Sequence, residues 1–144
     1  MPPVVVRQNL KAVADFLNQR VLLGDITDQE RERLIAKRAN ELFKEADLQR
    51  MNASNAWQYG EILIAARQWK MAKRVLLVAV DKPAREERRV NDNLRLARCE
   101  AKLGEVPEAV KRARSVFDTT KLDAAPILPA VLLEIVPAGL GKGH

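Results

Sequence analysis

The amino-acid sequence predicts an all-α fold of six or seven helices arranged as antiparallel hairpins. Three observations predict it. Apolar residues recur at steps of three and four, and no period-two alternation of a strand is sustained anywhere. Helix-breaking residues, chiefly Gly24, Pro83 and Gly104, divide the chain into helix-length segments. The stretch from Leu96 to Val110 also echoes the stretch from Tyr59 to Lys73 at a spacing of 37 residues. In both copies a bulky–small pair (Tyr59-Gly60, Leu96-Ala97) precedes a turn, a large apolar residue (Trp69, Val106) and an alanine three positions on (Ala72, Ala109).

The first helix is predicted over residues 6–23, where Leu10, Val13, Leu17 and Val21 form one apolar stripe. Gly24 supplies the left-handed residue that ends a helix without a Cβ clash. Thr27 to Glu30 reads as a capping box, with Thr27 as N-cap and Glu30 reaching back. A second helix follows to Arg50, with Leu34, Ile35, Leu42 and Phe43 facing inward. The polar run 52–55 separates it from a third helix over 53–67, and a fourth spans 69–80. Asp81-Lys82-Pro83 stops the fourth, because proline cannot continue the hydrogen-bond ladder. The charged residues 84–89 are either a loop or an extra helical turn. A fifth helix runs over 90–103 and ends at Gly104, and a sixth covers 107–117 with Pro107 in its first turn. Residues 127–136 form a short, almost wholly apolar segment among prolines.

A chain of 144 residues suits one domain with a real core. Aromatics make up only 4%, so that core is mostly Leu, Val, Ile and Ala. The lone Cys99 excludes an internal disulfide and a multi-cysteine zinc site, and the only histidine, His144, is the last residue. Histidine-based metal or triad chemistry is thereby nearly excluded. The first residues lack the basic and apolar regions of a secretory signal, and no apolar run approaches the roughly 18 residues of a membrane span. A cytoplasmic location is the default expectation, with the reservation that a piece of a longer protein would carry its targeting signal elsewhere. The net charge of +6 is uneven: residues 1–66 carry nine basic and nine acidic side chains, and residues 67–121 carry fifteen and eight. The excess points to an anionic partner: acidic peptide, nucleic acid or membrane surface.

The run Leu103-Gly104-Glu105-Val106-Pro107-Glu108-Ala109-Val110, with Leu96-Ala97 before it, resembles the tetratricopeptide repeat. Tyr59-Gly60, Trp69, Ala72, Ala79 and Pro83 give a second copy. Arg67 departs from the pattern, because it stands where the turn glycine is expected. The resemblance implies a short right-handed stack of hairpins, with residues 53–121 as two repeats. Since two repeats bury little alone, residues 1–50 are expected to stack as an N-terminal cap. The 127–136 segment, ahead of a flexible tail within residues 122–144, is expected to cover the open end.

In this family the first helix of each repeat lines a concave groove. Carried over, Trp57, Gln58 and Glu61 face the groove from the first copy, and Asn91, Leu94, Arg95, Arg98 and Lys102 from the second. Arg95, Arg98 and Lys102 stand at steps of three and four, so one helix face carries all three. Their donors suit carboxylates and phosphates. Reversal of Arg95 and Arg98 to Glu is expected to leave the fold intact and weaken an acidic ligand. The competing reading is an ordinary solvated face.

A second basic set, Lys70, Lys73 and Arg74 with Lys111, Arg112 and Arg114, lies on the second helices, the convex side of such a stack. It suits either solubility or phosphate contacts. Tyr59, Trp69 and Cys99 read as packed core residues. The acidic residues fall beside Lys and Arg as solvated charges do, so no catalytic pair stands out and no cofactor is implied. The expected function is a non-catalytic protein-interaction module, an adaptor or scaffold whose basic groove takes an acidic peptide or protein partner. The alternatives are a nucleic-acid-associated basic helical protein and a homo-oligomerisation module acting through residues 127–136.

Overall fold

A computed structural model describes residues 1–46, 48–81 and 86–119. Among these the regular structure is helical and no strand occurs. The α-helices are α1 (Pro3–Leu22), α2 (Asp28–Phe43), α3 (Ala56–Ala65), α4 (Trp69–Asp81), α5 (Glu86–Lys102) and α6 (Val106–Thr119). One turn of 3-10 helix, Leu48–Arg50, follows α2. The apolar segment 127–136, expected as a seventh helix and as an oligomer contact, lies outside the described residues, as does Pro83.

Several boundaries differ from the sequence expectation for local reasons. Helix α1 starts earlier because extended Pro2 leads into Pro3, whose missing N–H is no loss in a first turn. Helix α2 ends earlier, where Glu45 N–H and Ala46 N–H donate to Leu42 and Phe43 carbonyls in tight i→i+3 turns. Helix α3 starts later because the Asn52 side chain accepts from the Ser54 and Asn55 amides and holds those residues in a turn. Residues 86–89 are the extra helical turn of α5 rather than a loop. Thr27 Oγ1 accepts from the Glu30 amide at 3.1 Å, as expected of an N-cap, and its hydroxyl faces the Glu30 carboxylate at 3.3 Å.

Three hairpins, α1/α2, α3/α4 and α5/α6, close on the same backbone device. Gly24, Arg67 and Gly104 have φ of 80°, 60° and 84°. Each follows a helix end and donates to the carbonyl three residues back: Val21, Ile64 and Ala101. The next residue (Asp25, Gln68, Glu105) donates five residues back, to Arg20, Leu63 and Glu100. This is the Schellman closure, which satisfies carbonyls the helix leaves open. Asn40 of α2 reinforces the middle closure, donating to the Ala66 carbonyl at 3.0 Å and accepting from Gln68 Nε2 at 2.9 Å.

Each helix packs on its chain neighbour, and α1 also touches α3. The apolar residues form three clusters in series. Val6, Leu10, Ala39, Leu42, Ile62 and Ala66 join α1, α2 and α3. Tyr59, Leu63, Val75, Leu76, Leu96 and Cys99 join α3, α4 and α5. Val90, Leu94, Ala97, Ala109, Ala113 and Val116 join α5 and α6. A fully buried leucine or isoleucine contributes about 1.5–3 kcal/mol relative to exposure. The small residues set how closely the helices approach. A Cβ on Gly60 of α3 would lie 2.6 Å from Leu76 Cδ2 and 2.8 Å from Leu76 Cγ of α4, so any larger residue there would force the buried Leu76 side chain to shift. Tyr59 and Cys99 are fully buried, in agreement with their reading as core.

Candidate functional site

Helix α5 carries the predicted basic face; α3 meets it through Glu61, and α1 in turn packs on α3. The 3.6-residue period puts Arg95, Arg98 and Lys102 along one side of α5. Their surroundings divide that side into two regions.

The first region is a charge network across three helices. Glu61 of α3 accepts from Arg7 Nε of α1 at 2.5 Å and lies 2.8 Å from Arg95 Nη2 of α5. Arg95 Nη1 donates to Asp92 Oδ1 at 3.0 Å, one turn back on its own helix. Arg95 and Glu61 side chains are 19% and 23% exposed, so these charges attract one another with little screening. Trp57 stands in the same region. The guanidinium carbons of Arg88 and Arg7 lie 3.5 Å and 4.4 Å from its ring centroid, both over the ring. Trp57 therefore links α3 to α1 and α5 through cation–π contacts.

Asp92 is fully buried, and its second carboxylate oxygen, like Asn91 Oδ1, finds no hydrogen-bond partner among the described residues. Burial pushes the Asp92 carboxyl above its ordinary 3.8. The charges of Arg95 and Arg88 and the hydrogen bond from Arg95 oppose that shift, and Glu61 adds to it.

The second region is a cleft of about 340 Å³ at the far end of α5. Ile35 of α2, Ile64 of α3 and Trp69 of α4 give it apolar wall, with Arg67, Arg98 and Lys102 on its lining against Glu32. Arg98 and Lys102 lie 5.4 Å and 5.7 Å from the Trp69 ring centroid. Arg67 reaches Glu32 at 3.6 Å across half-exposed side chains, a weak pair. Trp69 is half-buried, so it is both core and cleft wall.

The residues expected to line one groove thus take three different places. Arg98 and Lys102 come together at the cleft. Arg95 and Trp57 are engaged in the network, and Asn91 is buried. Leu94 is fully buried between α5 and α6, so it corrects the expectation of an apolar groove residue. The physical reason is its register, since Val90, Leu94, Ala97 and Ala101 make the stripe that faces α6. The expectation missed Arg7, Arg88 and Asp92. Arg7 shares no sequence neighbourhood with Glu61, and only the packing of α1 on α3 brings them together.

The second basic set is also divided. Lys73 pairs with Glu105 at 2.6 Å, and Arg112 pairs with Glu100 at 2.6 Å and donates to Asn93 at 3.0 Å. Lys70, Arg74, Lys111 and Arg114 are exposed. Among the described residues there is no cluster of His, Cys, Asp and Glu that could hold a metal, and no helix long and apolar enough to cross a membrane.

Comparison with protein-family models, with curated proteins and with solved structures gives no match.

Proposed function

We propose that this chain is a non-catalytic protein-interaction module, an adaptor or scaffold whose hairpins stack in the manner of tetratricopeptide repeats and whose Trp69 cleft takes an acidic segment of a partner protein. The observation that carries this reading is the cleft's composition. The described lining sets the side chains of Arg67, Arg98 and Lys102 beside the Trp69 ring and Ile35, with Glu32 on the same rim. An extended acidic segment would lay carboxylates on Arg98 and Lys102 and an apolar side chain on Trp69. The Glu61 network gives such a site a firm backing, because it fixes α1, α3 and α5 relative to one another. Burial of the corresponding residues Tyr59 and Leu96, Gly60 and Ala97, and Ala72 and Ala109, each pair 37 residues apart, supports the repeat reading.

The test is a titration of the Trp57→Phe variant, in which Trp69 is the sole tryptophan, with a short Glu-rich peptide, read by Trp69 emission. The peptide is expected to change that emission at low salt, and Arg98→Glu/Lys102→Glu to raise Kd at least about tenfold, or about 1.4 kcal/mol. No emission change, or equal affinity of the charge-reversed variant, discards the reading.

A further inference from the structure

Helix α4 presents a second surface that the Trp69 cleft does not include. Its inward residues are Ala72, Val75, Leu76 and Ala79. Its outward residues are far from uniformly polar: Met71, Leu77 and Val78 are 44%, 42% and 40% exposed. Leu103, in the turn between α5 and α6, is 39% exposed. Leu77 and Leu103 line a cleft of about 390 Å³ together with Lys70, Lys73, Arg74 and Glu105. It shares no lining residue with the Trp69 cleft.

The charges around it are not equivalent. Glu105 holds Lys73 through both carboxylate oxygens, at 2.6 and 3.0 Å, which neutralises that lysine and ties the turn to α4. Lys70 and Arg74 have no carboxylate partner among the described residues. They stand four apart on one helix face, where like charges repel. A ligand carrying carboxylates would remove that repulsion, and the two leucines would cover an apolar side chain.

We propose that this face binds an acidic amphipathic helix of another protein, which seats an apolar side chain between Leu77 and Leu103 and places its carboxylates on Lys70 and Arg74. Nucleic acid fits less well. Phosphates would leave both leucines exposed, and the cleft has no aromatic ring for a base to stack on. A bilayer also fits less well, because an interfacial helix submerges its main apolar face, and that of α4 is buried against α3 and α5.

The full chain with labelled methyl groups would be titrated with a synthetic helix bearing Leu on one face and Glu on the other. A matching helix with Lys for Glu, phosphatidylserine vesicles and duplex DNA serve as the other probes. The acidic helix is expected to shift the Leu77 and Leu103 methyl signals. Leu77→Glu, and separately Lys70→Glu/Arg74→Glu, are expected to weaken it at least about tenfold with unchanged helicity. Arg98→Glu/Lys102→Glu is expected to leave it unchanged, so this surface and the Trp69 cleft stand or fall separately. Failure of the acidic helix to bind overturns the proposal. So does equal binding by both surface variants or by the Lys helix, or a response of these methyl groups to vesicles or DNA at lower concentration than to the acidic helix.

Discussion

Arg67 and Gly104 hold the same left-handed backbone conformation, φ 60° and 84°, at equivalent points of two hairpins. Only the glycine does so without a Cβ clash. A non-glycine residue there costs about 1–2 kcal/mol. Arg67→Gly is therefore expected to stabilise the fold by about 0.5–1 kcal/mol after the greater chain entropy of glycine is deducted. Loss of the exposed Glu32 contact subtracts little. Urea unfolding checks this, and a lowered midpoint would contradict the assigned strain.

Arg95 and Arg98 should respond differently to charge reversal. Arg95→Glu places a third carboxylate beside Glu61 and buried Asp92 and removes their shared cation. The expected loss is about 3–5 kcal/mol, as for a broken buried pair. This replaces the sequence-based expectation that reversal at Arg95 spares the fold. At Arg98 the contact to Trp69 is a cation–π contact worth about 0.5–1 kcal/mol, and no buried carboxylate among the described residues depends on it as Asp92 depends on Arg95, so Arg98→Glu is expected to cost less than Arg95→Glu. Equal unfolding midpoints for the two variants would refute the division of the α5 face.

Asp92 makes stability depend on pH in the direction opposite to most carboxylates. Its folded pKa lies above 3.8, so the folded chain holds the proton more tightly than the unfolded chain. Its contribution to stability therefore grows as pH falls through the folded value, and levels off below 3.8, where both states are protonated. Asp92→Asn, which mimics the protonated form, is expected to be the more stable protein at neutral pH. That advantage should shrink on acidification. Thermal melts of both proteins between neutral and acidic pH would show it, and an advantage that widens toward low pH would reverse the assignment.

The helices were legible because their signals are local. Thr27 caps through its own side chain three residues on, and Gly24 and Gly104 turn the chain by themselves. Ends that depend on side-chain turns were not, as at Asn52, where a polar run reads as helix or loop equally well. The cation face of α5 was legible in spacing, because 95, 98 and 102 must share a side of any helix. Its partition was not. The partner of Arg95 is 34 positions earlier, and Glu61 in turn is shared with Arg7, 54 positions earlier still. Leu94 was misplaced because one residue of helix register separates the groove side from the side that meets α6.

The two tryptophans occupy the two regions of the α5 face separately, Trp57 under Arg7 and Arg88, and Trp69 under Arg98 and Lys102. The molecule therefore carries two built-in optical reporters. Emission from Trp57 follows whether α1 and the start of α5 remain docked on α3, and emission from Trp69 follows what occupies the cleft. With the other ring replaced by phenylalanine, opening of the assembly and filling of the proposed cleft become separable signals, each read in its own single-tryptophan variant without an added label.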